Sequence, residues 1–159
     1  MMVRSARAGD VAAMAAIWNP IIRDTAITFT TEEKTAAGLE AMIAAPEGRW
    51  LVAEEDGVVL GFAGYGAFRG GPGYAHAREH TILLGEGARG RGVGRALMRA
   101  LEAEARDAGI HVLVAGISAE NPGAVAFHAA LGFAEVGRMP EVGQKFDRWM
   151  ALVLMQKIL

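Results

Sequence analysis

Arg89-Gly90-Arg91-Gly92-Val93-Gly94-Arg95 is the stretch from which the fold can be worked out. It follows an apolar run that predicts a strand at 80–84, and it opens a helix predicted over 93–108, where apolar residues recur every four positions. Free N–H groups at the start of a helix lie at the positive end of its dipole and bind phosphate or pyrophosphate. Glycines let such a ligand reach the backbone, and the arginines add charge. We therefore expect a phosphate-bearing ligand here; the competing interpretation is a solvated basic turn.

The flanking sequence predicts one α/β domain over residues 1–159 with a mixed sheet. Asp56-Gly57 between two apolar runs predicts a hairpin, and the helix between strands 80–84 and 111–117 predicts a parallel pair. The element order is β-α-α-β-β-β-α-β-α-β-β. The other strands are predicted at 3–6, 50–53, 58–63, 133–136 and 149–155, and the other helices at 11–18 behind Asp10, from a Thr30–Glu33 capping box to Ala45, and at 121–131.

Composition narrows the class of protein. The 159 residues carry a formal charge of -2 and include no cysteine. The charge gives no general attraction to nucleic acid or to anionic membranes, so neither is expected as a partner. The sequence shows no signal-peptide core, no apolar run long enough to cross a membrane and no metal-ligand spacing. These features predict a soluble, cytoplasmic protein without a metal.

Two common phosphate-binding loops do not fit the glycine-rich stretch. A Walker A loop requires Gly-Lys-Ser/Thr, which is missing. The literal GxGxxG at 85–90 ends before the predicted helix begins, and no acidic residue ends the following strand to bind a ribose. A single βαβ unit is also too little for a dinucleotide-binding fold.

Residues Arg89 to Gly94 match the Gln/Arg-x-x-Gly-x-Gly/Ala motif of the GCN5-related N-acetyltransferases (GNAT), and the resemblance spans nearly the whole chain. More specifically, the sequence resembles the branch that acetylates phosphinothricin and methionine sulfoximine. The segments that carry this resemblance are 18–20, Tyr74 with 79–81, 121–124, 128–133, 139–146, 148–149 and 155–156. The resemblance implies a strongly twisted sheet whose fourth and fifth strands splay apart, and acetyl-CoA as the co-substrate.

Carried over to this chain, the family pattern implies a complete cofactor site. Backbone groups of the fourth strand would pair with the pantetheine amides, and N–H groups of 91–95 would hold the pyrophosphate. Asn121 would contact the cofactor arm, although asparagine is also a common N-cap. The implied cofactor-binding residues are Ile82, Leu83, Leu84, Arg89, Gly90, Arg91, Gly92, Val93, Gly94, Arg95 and Asn121.

Two catalytic residues are predicted. Direct acetyl transfer requires a neutral amine, and an α-amine with a pKa near ~8 is mostly protonated at neutral pH, so a base is needed. Glu79 matches the family's glutamate before the acyl-CoA strand; a backbone carbonyl or a water chain is the alternative. His128 is the predicted acid for the leaving thiolate, at a position where many relatives carry tyrosine, and a purely structural histidine is the alternative. A backbone N–H near Leu83 or Leu84 would stabilise the oxyanion.

The substrate site is predicted from arginines and aromatic residues. An amino-acid carboxylate favours bidentate arginine, and aromatic walls suit a small pocket, although core packing is equally compatible with the aromatics. Arg78 and Asp147 depart from the branch pattern. The predicted residues are Phe29, Arg69, Tyr74, Arg78, Lys145, Phe146, Arg148 and Trp149.

The expected reaction is acetylation of the α-amine of a small amino-acid-like substrate. Two alternatives remain open: another acceptor (a polyamine, an aminoglycoside or a protein N-terminus), or an acyl-CoA-binding sensor without turnover. The branch resemblance also implies a homodimer.

Overall fold

The computed structural model describes residues 1–159 as a seven-stranded sheet with helices on both faces. Spatial strand order is β1-β2-β3-β4-β5-β7-β6, and only β4 and β5 are parallel. The predicted mixed α/β architecture is confirmed. The elements are β1 Met2–Ser5, α1 Val11–Asp24, α2 Ala36–Ala44, β2 Arg49–Glu55, β3 Val58–Ala67, β4 Ala77–Leu84, α3 Val93–Asp107, β5 Val112–Ser118, α4 Pro122–Ala130, β6 Ala134–Lys145 and β7 Arg148–Ile158.

Two hairpins use two-residue turns with positive φ at both positions. Asp56 and Gly57 connect β2 to β3 at φ of 52° and 80°, as the Asp-Gly pair predicts. Phe146 and Asp147 connect β6 to β7 at φ of 53° and 56°. The second hairpin was not predicted over its full length, because β6 extends to Lys145 through Pro140 and two glycines, which are poor strand formers.

Two predicted helix boundaries are wrong. Helix α1 continues through Pro20 to Asp24, since its buried face, which includes Trp18 and Ile22, compensates for one missing N–H donor. The Thr30–Glu33 capping box does not form: Thr30 Oγ1 accepts from the N–H of Glu32 in an irregular segment. Helix α2 begins at Ala36, and Thr35 caps it by accepting from the N–H of Gly38 at 3.1 Å.

Strands β4 and β5 pair over only three residues and then separate. Ala77, Arg78 and Glu79 pair with Val112, Leu113 and Val114, respectively, and no pairing follows. The rest of β4 stays paired with β3 on its other side. Its backbone edge toward β5 is therefore free of strand partners, and Glu79 lies where the two strands part.

Each face of the sheet has its own buried cluster. Helix α3 packs on one face through Leu97, Met98 and Leu101, while Met14 and Ile22 of α1 pack on the other with Leu39 of α2. The two layers hold the β4–β5 gap between them. No helix combines the length and the apolar character that a membrane crossing requires.

Candidate active site

The separation of β4 and β5 opens a cavity of about 770 Å³. Its walls come from the diverging halves of both strands, the glycine-rich loop, the first turn of α3, one side of α4 and the segment 27–29. The cavity is thus built where the sheet loses its hydrogen-bond ladder, and its lining includes backbone groups as well as side chains.

The glycine-rich loop presents backbone to this cavity. Gly90 and Gly92 have φ of 75° and 79°, and a Cβ added at either would meet no atom within 4 Å. Gly92 is also the residue preceding α3, with no side-chain cap, so the first N–H groups of the helix are free to meet a ligand. Gly94 has a different role: a Cβ there would lie 3.2 Å from the Phe127 ring, so glycine lets α3 and α4 pack closely.

The predicted cofactor residues, with one exception, line this single cavity. The exception is Arg91, whose guanidinium is paired with Glu55 instead. Asn121 lines the cavity and also caps α4, because its Oδ1 accepts from the N–H of Ala124 at 3.3 Å. The residues on the lining are Ile82, Leu83, Leu84, Arg89, Gly90, Gly92, Val93, Gly94, Arg95 and Asn121.

Glu79 lines the cavity at the point where the strands part. A Cβ built on Gly116 would lie 3.0 Å from Glu79 Oε1, so the carboxylate extends across the gap over β5. Partial desolvation raises the pKa of Glu79 above its ordinary value, although solvent still reaches the side chain. A carboxylate with a raised pKa in a cleft is a candidate proton acceptor.

His128 also lines the cavity, but its ring nitrogens are both engaged. Nδ1 lies 2.7 Å from the carbonyl of Ala124 on the preceding turn of α4, and Nε2 lies 2.9 Å from Nε2 of His80. Burial lowers the pKa of His128. This bonding gives no support to the predicted role of His128 as an acid, which stays a prediction.

Of the predicted substrate residues, only Phe29 lines the cavity. Arg69 and Tyr74 contact each other outside it, with the guanidinium carbon 5.5 Å from the ring centroid. Arg78 precedes Glu79 in β4; its Nη1 donates to the carbonyl of Ala77, and its buried Nε has no partner.

Lys145 positions the Phe29 segment from behind. Only 4% exposed, it donates from Nζ to the carbonyls of Ile22, Thr25 and Thr28, the last two at 2.6 and 2.8 Å. Its neighbour on β6, Gly143, packs against Phe29 so closely that a Cβ would lie 2.3 Å from the ring. Lys145 thus contacts the chain that leads to the pocket wall, and does not line the cavity itself.

The remaining predicted substrate residues are at the turn of the β6–β7 hairpin and point to solvent. Phe146 and Trp149 are 51% and 61% exposed, and Arg148 is paired with Glu120. None of the three lines the cavity.

Gly116 and His80 are among the lining residues to which the sequence assigned no role. Gly116 makes room for the Glu79 carboxylate, and a glycine inside an apolar strand is the kind of signal that marks such a close approach. His80 contacts His128, a contact that the spacing of the two residues in the sequence does not reveal.

The cavity suits a long ligand with a phosphate end. The unpaired edge of β4 offers amide and carbonyl groups along one wall, and the exposed glycines and α3 N–H groups offer an anion site at the end of the strand. Arg89 and Arg95 add positive charge beside them. These features fit acetyl-CoA.

Comparison with known proteins agrees with this geometry. Residues 15–133 match the family described as "Acetyltransferase (GNAT) family". The chain is 40% identical to the L-amino acid N-acyltransferase MnaT of Escherichia coli (strain K12), over 98% of this chain and 92% of that protein. It is 37% identical to the L-methionine sulfoximine/L-methionine sulfone acetyltransferase of Salmonella typhimurium, over 98% and 93%.

A solved structure of yncA from Salmonella typhimurium, with its cofactor acetyl-CoA, superposes with a TM-score of 0.95 at 36% identity, covering 100% of this chain and 94% of that one. The chain therefore belongs to the GNAT acetyltransferase family and uses acetyl-CoA as its acetyl donor.

Proposed function

We propose that this enzyme acetylates the α-amine of small amino-acid-like substrates of the methionine sulfoximine, methionine sulfone and phosphinothricin type. The observation that carries the proposal is the position of Glu79, a carboxylate of raised pKa at the apex of the acetyl-CoA cavity. The names of the relatives, which act on an L-amino acid and on methionine sulfoximine or sulfone, support the acceptor class.

In the proposed site the chain holds acetyl-CoA mainly through its backbone. Ile82 to Leu84 offer strand-edge groups to the pantetheine arm, and the N–H groups at the start of α3 receive the pyrophosphate. Acetyl-CoA, when bound, supplies the thioester: the amine forms the new C–N bond, the C–S bond breaks, and the amine loses one proton as the thiolate gains one. An N–H of the β4 edge near Leu83 or Leu84 stabilises the oxyanion.

Glu79 is the proposed base. Its carboxylate is near the place where an amine must approach a thioester lying between β4 and β5. The raised pKa brings the group closer to the working pH, which improves proton transfer from an ammonium group.

The substrate carboxylate is proposed to bind Arg78. Arg78 precedes Glu79 on β4, outside the cavity lining, and its buried Nε donor has no partner in the chain. A bidentate pair between guanidinium and carboxylate would satisfy that donor. Arg69 and Tyr74 complete the proposed mouth of the site, and Phe29 forms its inner wall.

Two copies are proposed to associate through the outer face of the β6–β7 hairpin. Exposed apolar side chains in this number are unusual on a monomer. Sedimentation of the wild type and of Trp149→Arg tests the dimer, which the substitution should dissociate. The exposed residues are Val136, Met139, Val142, Phe146 and Trp149.

Because acetyl-CoA is an intracellular metabolite, the proposal also places the enzyme in the cytoplasm.

Thiol release from acetyl-CoA tests the function. The purified protein is mixed with methionine sulfoximine, methionine sulfone, phosphinothricin, ordinary amino acids, spermidine and an aminoglycoside in separate reactions. We expect fast release with the first three. Release only with spermidine or the aminoglycoside would refute the acceptor while keeping the reaction, and acetyl-CoA binding without release from any amine would favour a sensor.

A further inference from the structure

The hydrogen bonds of His80 and His128 fix how their protons are arranged. Ala124 presents a carbonyl to Nδ1 of His128 at 2.7 Å, and a carbonyl only accepts, so Nδ1 carries a proton. In neutral His128, Nε2 is then an acceptor. The ring nitrogen 2.9 Å away, Nε2 of His80, must donate, since two lone pairs would otherwise face each other.

The remaining nitrogen of the pair is consistent with this arrangement. Nδ1 of His80 is buried and makes no hydrogen bond, although the backbone of Val114 lies close enough to the ring to oppose part of the fall in its pKa. As the unprotonated nitrogen of a neutral ring it is an unused acceptor, which buried sites tolerate better than an unused donor. The opposite assignment would bury an unpartnered N–H, and a doubly protonated ring would bury a charge with no anion beside it.

We propose that His80 is a positioning residue of the acetyl-transfer site: by donating to Nε2 of His128, it keeps His128 in one neutral tautomer, as a fixed and uncharged wall of the cavity. This inference rests on the proposed function for its kinetic consequence, but the hydrogen-bond arrangement itself does not depend on the acceptor. It revises the role of His128, which has no free N–H to give. The proton that the thiolate gains is the one that the acylated amine sheds.

The surroundings of the pair favour the neutral state. Packing around both rings is aromatic: Phe133 lies with its ring centroid 5.2 Å from each, and Phe127 stacks edge-on against His128. Burial, with His128 as neighbour, lowers the pKa of His80 to about 3. Both histidines are therefore neutral at the pH where acetyl transfer requires a neutral amine.

Few titratable groups face the pair. Strand β5 and the rest of helix α4 contain no titratable residue, and Tyr65 of β3 is the residue paired with His80. Lys157 of β7 approaches the Phe133 ring at 6.0 Å and is neutralised by Glu102 of α3. The remaining neighbour, Glu79, precedes His80 on β4, where successive side chains point to opposite faces of the sheet. No anion is therefore positioned to hold either imidazole protonated.

The test compares two substitutions of His80. In His80→Gln, the amide N–H₂ can replace the Nε2–H donor, whereas His80→Leu keeps apolar volume and removes the donor. We expect the pKa of His128 to be higher in His80→Leu than in the wild type, because Nε2 no longer faces a donor and can accept a proton from the cavity, while burial still keeps it below its ordinary value. Exposed His111 provides the matched control, His111→Gln.

Long-range ¹H–¹⁵N spectra of ¹⁵N-histidine-labelled protein read the tautomers directly. In the wild type and in His80→Gln, His128 should show a protonated Nδ1 and a bare Nε2, unchanged from pH 8 to pH 5.5. In His80→Leu, His128 should titrate. A wild-type His128 that carries its proton on Nε2 or titrates in this range would overturn the proposal, even if His80→Leu fails to fold.

The pH profile of thiol release gives the second readout. Relative to the wild type, kcat/KM of His80→Leu should fall several-fold from pH 7.5 to pH 5.5, because His128 becomes protonated in this range only in the variant. His80→Gln should restore the wild-type profile. Equal profiles for all three proteins would contradict the positioning role. Absence of turnover with every amine would instead refute the proposed function, and the spectra would still decide the tautomer.

Discussion

The two ends of the active-site region differ in how many of their predicted residues line the cavity. At the acetyl-CoA end, every predicted residue except Arg91 lines one cavity. At the acceptor end, Phe29 alone does so, and the other predicted residues lie behind the pocket wall, beside it or on the surface. Both sets came from the same family resemblance.

The difference reflects which atoms each end uses. The acetyl-CoA end is made of backbone: a free strand edge, glycines with positive φ and a helix start, all within one continuous stretch of sequence. A local motif specifies such a site. The predicted acceptor end draws on side chains from three separate segments, 29, 69–78 and 145–149, and whether a side chain faces the pocket is decided by tertiary packing. Variants of Glu79 and Lys145 test the acceptor end, and titration of acetyl-CoA tests the end that is built from backbone.

The largest effect on kcat is expected from substitution of Glu79, which lies between the acetyl-CoA end and the acceptor end. Glu79→Gln should lower kcat by about 10³-fold with an amine that is protonated at neutral pH, because proton acceptance is lost. Acetyl-CoA affinity should stay unchanged, since the amide has the same shape. Isothermal calorimetry and thiol release measure the two quantities.

The pH dependence of activity in Glu79→Gln shows on which side of the pH profile Glu79 acts. Burial raises the pKa of Glu79, so the wild type should lose activity as pH falls toward that raised pKa, at a higher pH than an ordinary glutamate would give. The acidic limb should lose this inflection in Glu79→Gln. A variant profile with the wild-type shape and height would show that a water chain or a carbonyl is the base.

A smaller effect, on the KM for the amine, is expected from Lys145, which lies behind the pocket wall that includes Phe29. Lys145→Met should raise KM for the amine by about tenfold, or about 1.4 kcal/mol, because the segment carrying Phe29 loses its anchor. The melting temperature should also fall, since three carbonyls lose a buried charged donor. Acetyl-CoA affinity is the internal control. An unchanged amine KM in a folded variant would separate Lys145 from the acceptor site.

Much of the fold could be predicted because local signals agreed with tertiary structure. The Asp56-Gly57 turn, the α3 periodicity and the βαβ unit each depend on neighbouring residues, and each was correct. The errors lie where tertiary structure overrides propensity: α1 passes through Pro20, and β6 includes Pro140 because the proline falls in the irregular stretch between Met139 and Gly143, where the ladder with β7 is interrupted.

The candidate site shows the same limit, because its contacts join residues that are far apart in the sequence. Lys145 was predicted to touch substrate because it belongs to a branch motif, but its three carbonyl partners come from residues more than 100 positions earlier in the chain. The His80–His128 contact likewise joins β4 to α4 across 48 positions. Pairwise contacts of this kind are not encoded in a local pattern.

Calorimetric titration of acetyl-CoA tests most directly the claim that backbone atoms form the acetyl-CoA end. Gly92→Val and Gly87→Val place the same side chain at nearly equal φ, 79° and 75°, in open surroundings, but only Gly92 lines the cavity. We predict that Gly92→Val raises Kd by at least about tenfold while Gly87→Val matches the wild type. Equal affinities for all three proteins, or equal losses in both variants, would contradict the account.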